Sequence, residues 1–208
     1  MNALIIDCQY FGSINYYKHL FESKYIIFEQ YDKHQKTSLK NRCLVPGVNG
    51  VVSLSVPLEK GRDQKTITKD IKISYRDNWV QQHIRTLESI YNRAPFFEYY
   101  QDELKALLKR KPVFLLDLNI AATEWISVKF GADLDISLTE SYRPFVSEGV
   151  IDGRGQFSPR LNITNHTHPY TQVFEDKIGY QSNMSILDLL CCMGKAGFQL
   201  MQDSKNVF

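Results

Sequence analysis

A strand, a helix and a second strand fit within the first 30 residues, and this pattern limits the fold more than any other feature. The apolar run at residues 3–8 reads as a buried strand. Ser13 can cap a helix over 14–21. Residues 25–28, β-branched and aromatic, read as the second strand. Two strands joined through a helix run parallel, as in a βαβ unit. Ligands of such sheets collect at the carboxyl ends of the strands. That rule sets Asp7, Cys8, Gln9, Tyr10, Glu29 and Asp32 beside any pocket.

The next legible unit is a hairpin within 36–57. A basic polar run, Lys36 to Arg42, leads into a strand at 43–45. A Pro-Gly-x-Asn-Gly turn and a strand at 51–56 follow. Asn-Gly turns use residues that tolerate positive φ, so the turn itself is structural. Residues 67–74 alternate around Ile71 and Ile73 and read as a half-buried strand. A helix opens at Asp77 or Asn78, with Trp79, Ile84, Leu87, Ile90 and Tyr91 near a 3.6 period, and Pro95 stops it. A second helix covers 97–109. A third runs from Pro112 to about Phe130 and is closed by Gly131.

Beyond 131, strands are expected at 134–138 and 161–164 and near Val173, among loops marked by Gly149, Gly153 and Gly155. The last expected helix, 185–193, is apolar almost all round and therefore buried. Ser185 caps it, and Gly194 ends it. The expected fold class is α/β: a mixed sheet from the N-terminal half, a helical layer over 78–131 and a buried C-terminal helix. One domain over 1–208 follows from the length, with a sheet portion at 1–76, a helical portion at 77–131 and a mixed closing portion at 132–208.

Composition removes several function classes. The net charge of +2 divides into +6 over residues 1–112 and −4 over 113–208. No dense Lys/Arg block is interleaved with aromatics, so a nucleic-acid partner is not expected. The four cysteines form no Cys-x-x-Cys pair, and buried free thiols in a reducing compartment fit best. The first apolar run stops at Asp7, too short for a signal peptide, and no stretch reaches membrane length. A cytoplasmic location is expected.

Several motifs line up in order. They are Lys40-Asn41-Arg42-Cys43 with Gly47-Val48-Asn49-Gly50 and Ser55-Val56-Pro57, Asp70-Ile71-x-Ile73-x-Tyr75 with Trp79 and His83, and Tyr91-Asn92-x-Ala94-Pro95-Phe96-Phe97-Glu98-Tyr99-Tyr100. Asp117-Leu118-Asn119, Tyr170-x-Gln172-Val173-Phe174 and Met184-Ser185-Ile186-Leu187-Asp188-Leu189-Leu190 follow. The ordered set resembles the WbqC-like protein family in the form common among Bacteroidetes, over most of 1–131 and 168–195. The resemblance implies a cytoplasmic bacterial protein of O-antigen or cell-surface polysaccharide biosynthesis. The leading expectation is a transferase acting on a nucleotide-activated sugar. The alternative is a non-catalytic ligand-binding or scaffold protein of the same pathway. Two departures stand out. The turn after strand one, Gln9-Tyr10-Phe11-Gly12-Ser13, lacks the proline that members often carry, and 139–168 matches poorly.

Four clusters carry candidate chemistry. Lys36, Lys40, Asn41 and Arg42, with Gln9 and Tyr10, could clamp a pyrophosphate or carboxylate and read hydroxyls, or form a solvated basic run. Tyr75, Arg76, Trp79 and His83 suit sugar stacking and proton transfer, with His83 the catalytic candidate. Gln9, Tyr10, Lys36, Asn41, Arg42, Arg76 and Trp79 are the substrate-binding candidates. For Asp117 and Asn119, helix capping is preferred over a general base. His166 and His168 lack a third ligand, and no metal is expected. No phosphate loop or dinucleotide fingerprint is present, so no cofactor is expected. The expected partner is a small molecule such as a nucleotide-sugar.

Overall fold

The computed structural model describes residues 3–33, 38–59, 66–157 and 168–203. Four strands form an all-parallel sheet: β1 (Ala3–Asp7), β2 (Tyr25–Glu29), β5 (Asp135–Leu138) and β6 (Val150–Asp152), in the order β5-β2-β1-β6. Two more, β3 (Arg42–Gly47) and β4 (Gly50–Ser55), make a separate antiparallel hairpin. The N-terminal half therefore supplies one βαβ unit and the hairpin, and the sheet takes its outer strands from 135–152.

Helix α1 (Ile14–Ser23) is capped by the Ser13 hydroxyl, which accepts from the Tyr16 amide. The helical layer is α2 (Trp79–Tyr91), α3 (Phe97–Lys109) and α4 (Leu115–Phe130). Each buries an apolar face, as the 3.6-residue spacing requires. Then come the short α5 (Glu175–Ile178), α6 (Ile186–Met193), apolar except for Asp188, and α7 (Gly197–Asp203).

Register separates the two faces of the parallel sheet. Leu4, Ile6, Ile26 and Phe28 point inward and join the main core with all the long helices. Ile5 and Ile27, paired with each other on the opposite face, are not part of that core. The segment before α6 ties the layers together. The Ser185 amide donates to the Leu44 carbonyl of β3 at 2.8 Å, and the Ser185 hydroxyl donates to the Phe11 carbonyl at 2.7 Å. Asp188 is fully buried on α6. Tyr170 and Gln172 donate to it at 2.5 and 2.8 Å, and burial pushes its carboxyl pKa up.

Several local expectations change. Val173 lies in a turn before α5, not in a strand. Residues 67–74 form a 3-10 turn at Thr68–Asp70 and isolated bridges, although Ile71 and Ile73 are both buried as their alternation demands. The hairpin loop residues are Val48 and Asn49, with Gly47 paired to Gly50, and the positive φ falls on Gly50 (122°) and not on Asn49. Asn119 sits inside α4 and caps nothing. The chain does not end its helices at Met193. After a 3-10 turn at Gly194–Ala196, α7 packs Phe198 against Phe21 at 5.5 Å between ring centroids. The expected strand at 161–164 lies outside the described residues.

Gly194 has φ of 56°, and a Cβ there would stand 2.7 Å from the Phe96 ring. Gly194→Ala should therefore destabilise by about 2–4 kcal/mol, combining backbone strain with overpacking. Gly149 has φ of 79° but open space around it, so Gly149→Ala should lose only about 1 kcal/mol. Urea midpoints of the two variants check the difference.

Candidate functional site

The chain leaves β1 for β2 and β5 on one side and returns to β6 on the other. This is the switch point at which open parallel sheets bind ligands. Asp7, Glu29 and Asp152 end β1, β2 and β6 there. By register all three lie on the outer face, with Ile5 and Ile27.

Two cations pair with the carboxylates of this edge. Lys40 is only 3% exposed, and its ammonium bonds Asp32, donates to the Thr68 hydroxyl at 2.9 Å and reaches Asp7 at 3.5 Å. Asp7 also accepts the Gly155 amide at 2.8 Å. Arg154 forms a fork on both Asp152 oxygens, at 2.9 and 2.7 Å, and donates to Glu29 at 3.2 Å. Glu29 is fully buried and also accepts from the Tyr31 amide and the Thr139 hydroxyl, both at 2.9 Å. The Arg154 fork holds the Asp152 carboxyl below the usual carboxylate range.

The residues singled out from sequence fall into two groups. Tyr10, Trp79 and His83 come together: the Tyr10 hydroxyl meets His83 Nδ1 at 3.1 Å, and Trp79 stands edge-on to the His83 ring at 5.0 Å and stacks on Tyr75. All three are buried. The Ser55 backbone also hydrogen-bonds His83 and partly offsets the effect of burial on the ring. Burial lowers the His83 pKa to about 4. Gln9 is buried beside the same turn, with Nε2 donating to the Phe157 carbonyl at 2.8 Å.

Arg42 opens β3 and Asn41 precedes it. Asn41 Nδ2 donates to the Val56 carbonyl at 2.9 Å. Arg42 pairs with Ser55 in the hairpin, so Arg42 and His83 meet one rung of it. Arg42 lines a narrow cleft of about 10 Å³ with Phe11, Asn183 and Ser185. No described cavity is lined by Gln9, Arg42 and His83 together. Arg76 is exposed, and Lys36 and His166 lie outside the described residues.

Sequence reasoning missed Thr68, Asp152, Arg154 and the role of Asn119. Asn119 is 1% exposed and donates through Nδ2 to the carbonyls of Cys8 (3.2 Å) and Lys40 (2.8 Å), joining α4 to the end of β1. Arg154 had one available signal: Val150-Ile151-Asp152 is a short β-branched run ending on a carboxylate, as in β1 and β2.

The model of the WbqC-like protein family matches residues 8–151, more than half of the chain. The chain belongs to the WbqC-like protein family. No curated protein and no solved structure matches it. In this WbqC-like protein the matched segment holds Glu29, Asp32, Lys40, Thr68, His83 and Asn119. Asp7, Asp152 and Arg154 complete the edge from just outside it. Among the described residues no helix is long and apolar enough to cross a membrane.

Two measurements probe these ties. Lys40→Met leaves two partly buried carboxylates facing each other and should lose about 2–4 kcal/mol. Adding Asp32→Asn should recover more than about 1 kcal/mol as a coupling in a double-mutant cycle. The second concerns pH. The unfolded chain protonates a histidine near pH 6.5, whereas folded His83 stays neutral until about pH 4. The stability it contributes is complete above pH 6.5 and is lost as pH falls towards 4, by about 3 kcal/mol. Urea midpoints from pH 7 to 4.5 should show this slope in the parent protein and a flatter one in His83→Gln.

Proposed function

We propose that this WbqC-like protein is a transferase of cell-surface polysaccharide production, of the O-antigen kind, acting on a nucleotide-activated sugar at the carboxyl edge of the parallel sheet. One observation carries the proposal: four carboxylates, a lysine and an arginine converge at the ends of three parallel strands, at the switch point. Carboxylates accept hydrogen bonds from sugar hydroxyls, and one of them can take the proton of an attacking hydroxyl. Asp7 and Asp32 are the candidates for that contact, since their side chains keep 14% and 20% exposure. His83, proposed from sequence as the catalytic group, acts in this reading as a positioning residue that holds Tyr10 against the hairpin. The four buried free thiols support a cytoplasmic setting.

The second reading, a non-catalytic binding or scaffold protein of the same pathway, is favoured by one fact: Lys40 and Arg154 already carry carboxylate partners, which a pyrophosphate would have to displace.

Thermal shifts against nucleotide-sugars and free nucleotides test the proposal. At about one hundred times Kd a true ligand adds about 2.7 kcal/mol and should raise Tm by several degrees. The shift should shrink in Asp32→Asn. No shift with any nucleotide-sugar at millimolar concentration ends the proposal. A shift without release of nucleoside diphosphate in the presence of acceptor sugars selects the non-catalytic reading.

A further inference from the structure

Parallel sheets are normally covered on both faces. Here the helices and the main core take the inner face, and residues 139–149 cross the outer one. Almost every residue of that crossing is exposed. Beneath it lies a cavity of about 300 Å³, floored by Ile5, Ile27, Ser137 and Val150.

The crossing is held, so the cavity is preformed. At its start, Gln30 Nε2 donates to the Thr139 carbonyl at 2.6 Å, and the Thr139 hydroxyl donates to Glu29. In the middle, Arg154 donates to the Arg143 carbonyl at 2.7 Å and sits over the Tyr142 ring at 5.4 Å. At the end, the Val150 amide donates to the Ser147 carbonyl at 3.2 Å.

The lining chemistry selects among ligands. Hydroxyl residues Thr139, Ser141 and Ser147 join Ser137 around the apolar floor. The two charged residues of the wall, Glu140 and Arg143, are opposite in sign. Arg154, which donates to the Arg143 carbonyl, is itself paired with Asp152 and Glu29. The surroundings therefore have no positive excess to attract a phosphate. Phe145, 86% exposed, lines the same wall and offers an aromatic face. The volume is at the small end for ligand sites, with room for one sugar ring and not for a sugar with its nucleotide.

We propose that this outer-face cavity binds a single uncharged sugar ring, with the C–H face on Ile5, Ile27 and Phe145 and the hydroxyls read by the serine and threonine wall. It rests on the reading of the protein as a sugar-handling one, but it stands or falls separately. The site includes Thr139, which bonds Glu29 at the carboxyl edge, so a ring held here lies on the same sheet face as Asp7 and Asp152.

The experiment is ligand-observed saturation-transfer NMR and calorimetric titration on the full chain. The probes are neutral hexoses, 6-deoxyhexoses and N-acetylhexosamines, with hexose 1-phosphates and uronic acids as charged arms. At least one neutral sugar should bind in the millimolar range or tighter, and more tightly than its charged counterpart. Ser137→Trp, which fills the cavity from an exposed position, should weaken binding at least tenfold. Phe145→Ala should weaken it severalfold with an unchanged circular dichroism spectrum. Tighter binding of the charged sugars overturns the inference, as does unchanged affinity in both variants. If no neutral sugar binds while nucleotide-sugars still shift Tm, the inference fails and the proposed function survives. If neutral sugars bind and nucleotide-sugars do not, the reverse holds.

Discussion

The buried ammonium of Lys40 is the contact on which the carboxyl edge depends. A charge removed from water is tolerated only with close partners, and those of Lys40 come from three places in the chain. Asp7 ends β1, Asp32 follows β2, and Thr68 opens the 3-10 turn. The backbone of the same residue accepts from Asn119 in α4, and the adjacent Leu39 carbonyl accepts from the Tyr10 amide. One residue thus joins the parallel sheet, the segment leading into the hairpin and the helical layer. The turn carrying Gln9 and Tyr10 is held where the sheet ends.

Arg154 repeats the device on the other side of β1. It draws Glu29 and Asp152 together and holds the middle of the 139–149 crossing by backbone carbonyls. The resulting edge is polar, with each cation shared between two carboxylates and an acidic excess left over. Such a surface offers directional donors and acceptors but no positive excess, which suits hydroxyl-rich ligands better than bare phosphates. The Tyr10–His83 contact lies deeper, beneath the hairpin, where burial keeps the imidazole neutral.

Much of this architecture was legible because it rests on local rules. The 3.6-residue spacing around Trp79 and Leu87 placed α2, and Pro95 and Gly131 marked the ends of neighbouring helices. The carboxyl-end rule brought Asp7, Glu29 and Asp32 to one edge before any contact was known. The failures share a cause. Asn119 resembles a cap by its position near a helix start, but its amide is used 79 and 111 residues away in sequence. Arg154 sits in a glycine-flanked loop whose partners, Glu29 and Arg143, are set by which strands pair. Lys40 reads as part of a solvated basic run until two acidic side chains fold over it.

By itself, the sequence determined the α/β class, the family, the helical layer and the strand ends that carry carboxylates, because periodicity, capping and turn chemistry act over a few residues. Only the tertiary structure decided that β6 pairs beside β1 and that Lys40 and Arg154 are paired inside the edge. It also decided that residues 139–149 cross the outer face of the parallel sheet over a cavity. Those outcomes depend on strand order and register, which bring together residues more than a hundred positions apart and leave no local trace in the chain.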